Sequence, residues 1–343
     1  MSAEKSHHPA HLEPSELGTK EYWDEYYQND LENGVGVEDE DGEDDVNVNA
    51  GNEAGNEEPP DPSELDSWFD DVGAPAKTLA FLTSTTFPLS PNYIPPSGTS
   101  TQVREGGNAP AAVLDLGTGN GSALFALRLH GGYAGRMVGV DYSSKSVELA
   151  RKLCAQYSSS YSSCSTSSNM KMENIDFHVL DIIHDSPASQ PWWPDSGFDL
   201  VLDKGTFDAI SLSSATVSDD HSTNRPRRIC ELYPSKVLQM VKTGGFLLVT
   251  SCNWTEAEVV SWFTTSSPSG SGRGRGSENN DPDNGTNSTT PKAGISEEGA
   301  KRVVFEVYDT IKYPVFEFGG QKGQGVASVC FRKILQTRET NQG

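Results

Sequence analysis

The chain has 343 residues and a formal net charge of −23, with 49 acidic against 26 basic residues. Without an evident basic face, that balance argues against nucleic acid as a partner. Only 34% of the residues are hydrophobic, but they fall in blocks divided by polar stretches, which predicts one globular core carrying disordered inserts.

Leu17 to Leu31 reads as a helix in which Tyr22, Trp23, Tyr26 and Tyr27 form two i,i+4 pairs on adjoining faces. An acidic run, Glu38 to Asp45, lies inside an Asn/Gly/Glu-rich stretch that repels itself and is expected to be disordered. The expected organisation is therefore an N-terminal segment with a lid-like helix over 1–31, an acidic linker over 32–62 and a folded domain over 63–343. Trp68-Phe69 restarts the apolar content, Ala76 to Leu82 reads as a short helix, and 88–110 is a Pro/Gly/Ser connector. Strands are then expected near 111–116, 136–141, 175–181, 198–203, 244–251, 302–309 and 326–333, with helices near 121–130, 144–156, 228–242 and 255–263. Such alternation predicts an α/β, Rossmann-like, mostly parallel seven-stranded sheet covered on both faces. Nothing helical separates the last two strands, so an antiparallel C-terminal hairpin is expected. Low-complexity stretches near 158–168 and 264–298 read as unstructured inserts on surface loops.

The stretch Val113-Leu114-Asp115-Leu116-Gly117-Thr118-Gly119-Asn120-Gly121 ends a short apolar strand in an acid and breaks into a glycine loop. About twenty residues on, Val138-Gly139-Val140-Asp141-Tyr142 ends a second strand in an acid. This pairing holds a nucleotide-like ligand at the carboxyl ends of adjacent parallel strands, the second acid taking the ribose hydroxyls. A dinucleotide fingerprint requires a third glycine where the chain has Ser122. Asp115 would also repel a diphosphate, whereas it would attract the ammonium of a methionine moiety, so S-adenosylmethionine fits better than NAD.

Strand four ends in Asp203-Lys204-Gly205-Thr206-Phe207-Asp208-Ala209-Ile210, where Asp203 either overlooks the ligand or caps the helical turn that follows. Asp181 has two similar readings, a partner for the adenine amino group or a cap. Trp254, after Thr250-Ser251-Cys252-Asn253, either lines an acceptor channel or plugs the core. The five cysteines show no C-x-x-C spacing and the histidines no ligand spacing, so neither disulfides nor a metal is expected. With no apolar run of membrane-spanning length and no signal-peptide core in Met1 to His11, the expectation is a soluble cytoplasmic monomer, with the nucleus a second location.

Together Leu17 to Asp24, the loop Leu114 to Gly121, Asp203 to Ile210 and Thr250 to Thr255 resemble the eukaryotic class I protein-lysine methyltransferases that modify translation elongation factor 1-alpha. The resemblance spans nearly everything outside the polar inserts and covers both the fungal family and its human methyltransferase-like counterpart. It implies that 63–343 is a methyltransferase domain, with the elongation factor as protein substrate. Asp115, Gly117, Thr118, Gly119, Asp141, Tyr142 and Asp181 would surround S-adenosylmethionine, Trp23 and its neighbours would fold over it, and Asp203 would sit near the transferred methyl as the catalytic residue. Two alternatives stay open: another acceptor, RNA or a small molecule, and a non-catalytic binding module of the same fold.

Overall fold

The computed structural model describes residues 9–33, 59–96, 110–163, 172–217, 226–265, 301–318 and 321–337. In chain order the elements are α1 (Lys20–Asn33), α2 (Ala74–Leu82), β1 (Val113–Leu116), α3 (Ser122–Leu129), β2 (Met137–Asp141), α4 (Ser144–Ser163) and β3 (Ile175–Val179). The second half continues with β4 (Phe198–Lys204), α5 (Thr206–Ser211), β5 (Thr216–Val217), β6 (Arg227–Arg228), α6 (Tyr233–Met240), β7 (Val241–Ser251) and α7 (Glu256–Thr264). It closes with β8 (Lys301–Ile311), β9 (Val315–Phe318), β10 (Gln321–Gln324) and β11 (Ala327–Thr337).

Seven strands pair in the order β3-β2-β1-β4-β7-β11-β8. The five strands from β3 to β7 are parallel, and β11 runs antiparallel between β7 and β8. Strands β1 and β2 are buried along their whole length, the acids Asp115 and Asp141 included, so they lack the apolar/polar alternation of a half-exposed strand. One face of the sheet packs against α1 to α4 through Trp23, Leu82, Leu124, Val147 and Leu153. The other packs against α5 to α7 through Phe207, Tyr233, Val237, Val259 and Trp262. Phe207 is the centre of that second layer, with ring centroids 5.5 Å from Tyr233 and 6.1 Å from Trp254. Trp254 is buried and its Nε1 donates to the Ser211 hydroxyl, so of its two sequence readings the structure selects the plug.

The chain leaves β1 for β2 and β3 on one side and returns to β4 on the other. The switch point is therefore at β1/β4, and a crevice opens beyond the carboxyl ends of these strands, where open α/β sheets bind ligands. The N-terminal stretch is strapped across its flank. Arg228 donates to the carbonyls of Leu12, Ser211 and Ser213, and the Ser15 N–H donates to the Leu212 carbonyl. The segment before α2 is tied in from the other side, by Asn120 Nδ2 donating to the Asp66 carbonyl and by the Tyr157 hydroxyl donating to the Pro60 carbonyl.

Several elements depart from the sequence expectations. The serine-rich end of α4 is helical to Ser163, because Ser158, Ser159 and Ser160 turn their hydroxyls back onto the carbonyls four residues earlier instead of competing for the backbone. The helix expected over 228–242 shortens to Tyr233–Met240, and its end is taken by β7, which starts at Val241. The final pair β8/β11 is antiparallel as expected, while the connection between them carries a further small hairpin, β9/β10. The acidic run of the linker and most of the insert at 264–298 lie outside the described residues.

Candidate functional site

A cavity of about 460 Å³ fills the crevice at the switch point. Its floor is the turn after β1. Gly117 takes φ +61°, and a Cβ built there would stand 2.1 Å from Thr206 Oγ1, whose hydroxyl donates to the Leu116 carbonyl. Only glycine lets β1 and α5 meet this closely. Gly119, at φ +56°, is covered instead by α1, with the Tyr27 hydroxyl 2.7 Å from the position of a Cβ. The Thr118 N–H donates to the Val140 carbonyl and its hydroxyl to Asp115, at 2.8 Å, which draws the loop against both strands.

Two buried carboxylates border this floor. Asp115 is 3% exposed, and burial pushes its carboxyl up to about 6, opposed by the Thr118 hydroxyl and by the charge of Lys204. Asp141 is 5% exposed and accepts from the N–H groups of Gly119 (3.1 Å) and Ser143 (2.9 Å), while burial raises its pKa. Asp115 accepts only the Thr118 hydroxyl among the described residues and so keeps acceptor capacity for a ligand. Tyr142 lies beside Asp141 on the cavity wall, its hydroxyl donating to the Thr19 carbonyl at 2.9 Å. Leu180, Ile182 and Ile183 continue this end of the wall as an apolar slot.

The roof is α1. Trp23, Tyr26 and Tyr27 border the cavity, Trp23 stacking with Tyr27 and meeting Tyr26 edge-on, and Trp68 meets Trp23 with ring centroids 5.2 Å apart. Three polar ties hold α1 and the turn before it over the loop: the Ser143 hydroxyl to Asp24 (2.6 Å), Trp23 Nε1 to the Leu17 carbonyl (2.8 Å), and the Tyr142 contact with Thr19. The helix therefore both packs and forms a wall.

Asp115, Gly117, Thr118, Gly119, Asp141, Tyr142, Asp181 and Trp23 all line this one cavity. Asp181 stands at its edge with its carboxylate already engaged. Oδ1 accepts from the N–H groups of Ile183 and His184, and Oδ2 meets His184 Nδ1 at 2.8 Å. Burial raises its pKa, but the side-chain and backbone hydrogen bonds outweigh that and hold the carboxyl below its ordinary value. It is thus a cap on the turn after β3 that also borders the cavity.

Asp203 caps the turn that follows it, one of its two sequence readings. It borders a smaller adjoining cavity of about 190 Å³ rather than this one, and both carboxylate oxygens are engaged: Oδ1 accepts from the N–H groups of Thr206 (3.0 Å) and Phe207 (3.1 Å), and Oδ2 from the Tyr233 hydroxyl (2.7 Å). Its residue is 1% exposed, and burial pushes its carboxyl up to about 7. The physical reason is register. Asp203 pairs with Leu116, so it shares the sheet face of Leu116, opposite that of Asp115. Asp208 is equally enclosed, taking the Ser251 hydroxyl at 2.5 Å and the Cys252 N–H at 2.9 Å. Lys204, Thr206, Tyr26 and Tyr27, to which the sequence assigned no individual role, also border the cavity. Strand alternation was the available signal for Lys204, since it opposes Asp203 across the sheet.

Comparison with known proteins identifies the family. Residues 108–286 match the family described as "Methyltransferase domain". The chain is 31% identical to "Protein-lysine N-methyltransferase EFM4" of Saccharomyces cerevisiae, over 94% of this chain and 97% of the yeast protein. It belongs to this family of protein-lysine N-methyltransferases. The Schizosaccharomyces pombe "Protein-lysine N-methyltransferase efm4" is also 31% identical, over 94% of this chain and 95% of its own length. "EEF1A lysine methyltransferase 2" of Mus musculus is 30% identical over 65% of this chain and 64% of the mouse protein.

Proposed function

We propose that this lysine methyltransferase uses S-adenosylmethionine to methylate a lysine of translation elongation factor 1-alpha, as a cytoplasmic monomer. The observation that carries the donor assignment is the set of buried carboxylates at the ends of β1 and β2. On this reading one receives an ammonium and the other a ribose diol, around a glycine floor with no room for a side chain. The same acids oppose a diphosphate. The volume suits a ligand of this size, and the aromatic roof with the slot at Leu180 to Ile183 gives its apolar parts a dry surface. The acceptor assignment rests on the names of the relatives.

When bound, the donor supplies an electrophilic methyl on a sulfonium. The protein aligns the acceptor, excludes water and lets the acceptor lose its proton. A free lysine pays roughly 4.6 kcal/mol to become neutral at pH 7, a cost that burial near a positive charge reduces. Trp23, Tyr26 and Trp68 exclude water at the roof. Asp203 acts at one remove as a positioning residue: it fixes the first turn of α5, hence Thr206, hence the Gly117 turn that forms the floor.

The test is transfer of radiolabelled methyl from S-adenosylmethionine to purified elongation factor 1-alpha by the full chain, with the site mapped by mass spectrometry. Labelling of one lysine, absent with Asp141→Ala, is the expected result. Label confined to RNA or small molecules overturns the acceptor, and donor binding without transfer to any acceptor returns the chain to a binding role.

A further inference from the structure

A lysine that is to be methylated must reach the cavity from outside, as an ammonium on an apolar stem. Part of the rim is closed to it. The N-terminal stretch packs against the turn after α5, where the Ser15 N–H donates to the Leu212 carbonyl and the backbone of Leu212 leaves no space for a Cβ at Gly18. The seam between α1 and the segment before α2 is different. Tyr26 and Asp30, one turn apart on α1, border the cavity there, and so do Asp66, Ser67 and Trp68. Asp66 is exposed, while Asp30, Tyr26 and Trp68 are partly buried, so this stretch of wall reaches solvent.

The seam lies over the strand ends. Asn120 Nδ2, in the loop after β1, donates to the Asp66 carbonyl at 2.8 Å. The rings of Phe69 and Trp68 stand 3.5 and 3.9 Å from a Cβ built at Gly205, in the turn after β4. Asp66 to Phe69 thus cross the switch point from one strand end to the other. The two acids are uncompensated: among the described residues neither the Asp30 nor the Asp66 carboxylate meets a cation or a hydrogen-bond donor. They sense one another, since burial and then the charge of Asp66 raise the Asp30 carboxyl. Burial, followed by Asp30 and Asp66, also pushes the Tyr26 phenol up to about 12. Ser67 lacks a partner as well. Its Oγ is buried and unbonded among the described residues, a rare state for a buried hydroxyl, and the residue borders the cavity. An ammonium carries three N–H donors and no acceptor, which matches two carboxylates and one hydroxyl.

Resting on the lysine and donor assignments above, we infer that the acceptor lysine enters through this seam, its ammonium received by Asp30 and Asp66 at the rim and by Ser67 inside, its stem lying between Tyr26 and Trp68. Carboxylates favour the charged form of a lysine, so they belong at the entrance, where the cation is captured, rather than beside the methyl, where it must be neutral. The aromatic rings attract the same cation. The chain's net charge of −23 draws in a basic protein surface around it.

The test is steady-state methylation of purified elongation factor 1-alpha by the full chain, comparing wild type with Asp30→Asn, Asp66→Asn and the double variant. Asp66→Asn leaves the backbone bond from Asn120 in place. The double variant should raise KM for the protein acceptor by about 3- to 10-fold at low salt, with kcat changed by less than about 2-fold. That gap should narrow as ionic strength rises from about 0.01 M to about 0.15 M, and Asp66→Glu should keep the wild-type KM. The dissociation constant for S-adenosylhomocysteine should not move. An unchanged KM, or a rise in KM that salt does not alter, overturns the entrance, because rim charges would then be idle or merely structural. Weakened S-adenosylhomocysteine binding overturns it too, by making these acids part of the donor wall. Wild-type protein that binds S-adenosylhomocysteine but labels no elongation factor overturns the acceptor reading, and this proposal with it.

Discussion

Asp115 and Asp203 end neighbouring strands, are almost completely buried and have carboxyls pushed upward by that burial, yet they do opposite work. Asp115 receives one side-chain donor, from Thr118, and faces a cavity. Asp203 receives three donors and faces the aromatic layer of Phe207 and Tyr233. The difference lies in one residue of register: the acid that precedes Leu116 points to one face, and the acid that pairs with Leu116 points to the other. A buried carboxylate at a strand end is therefore only a candidate for chemistry, and its hydrogen-bond partners decide whether it is available.

The largest break in this comparison is expected from Asp203→Ala. Three donors would lose their acceptor inside the core, at a cost of about 3 kcal/mol in stability, read as a shift of the urea midpoint at constant slope. Donor affinity should change by less than about 3-fold, because the residue does not border the cavity that holds Asp115 and Asp141. Normal stability with abolished turnover would instead put Asp203 back into the chemistry.

Asp115→Asn should behave in the converse way. The exchange keeps shape and removes charge, so the dissociation constant for S-adenosylhomocysteine, which carries the same ammonium, should rise by about 10- to 100-fold. Stability should hold or improve slightly, since a charge is no longer confined in the interior. Unchanged affinity would remove Asp115 from the ligand.

The two acids also predict two separate pH dependences. An ammonium binds the ionised form of Asp115, so ligand affinity should fall by up to about tenfold per unit as pH drops through about 6. Stability of the free protein runs the other way. The folded state holds protons on Asp203 up to about 7 and on Asp115 up to about 6, whereas the unfolded chain releases them near about 4. More protons are bound folded than unfolded in that window, so these groups make the protein less stable as pH rises from about 4 to about 7. Asp203→Asn should flatten that slope and leave the pH dependence of binding intact. A binding profile that followed Asp203 would reject the separation.

Much of this architecture was legible because each level agreed with the next. The short, mostly apolar runs at Val113 to Leu116 and Met137 to Asp141 pointed to buried strands, and the glycines between Leu116 and Ser122 marked the turn at the switch point. The direction of Asp203 was not legible, because parity within a strand has no meaning until the neighbouring register is known. Lys204 was hidden by the same gap. The helical serines at the end of α4 were missed for another reason. Composition reports what a segment prefers in isolation, and this helix is held by Val147, Leu153 and Tyr157 upstream. Trp23 and Tyr27 of α1 are core residues that also border the cavity, so one aromatic cluster both packs the helix and closes the site.

The smallest expected effect sharpens the comparison at its roof. Ser143 is fully buried, and its hydroxyl donates to Asp24 of α1 while its N–H donates to Asp141, so a single residue links the roof to the second strand end. Ser143→Ala removes the hydroxyl and leaves the backbone bond to Asp141 in place. One hydrogen bond of this kind contributes roughly 1 kcal/mol, so donor affinity should weaken by about 3- to 5-fold. Most of that change should appear in the dissociation rate, because a loosened roof releases ligand without altering the floor that receives it. Stopped-flow displacement, following tryptophan emission from Trp23 and Trp68, would read it directly. An effect on association alone would mean that α1 closes before the ligand arrives, and that the cavity is loaded from the side of Leu180 to Ile183 instead.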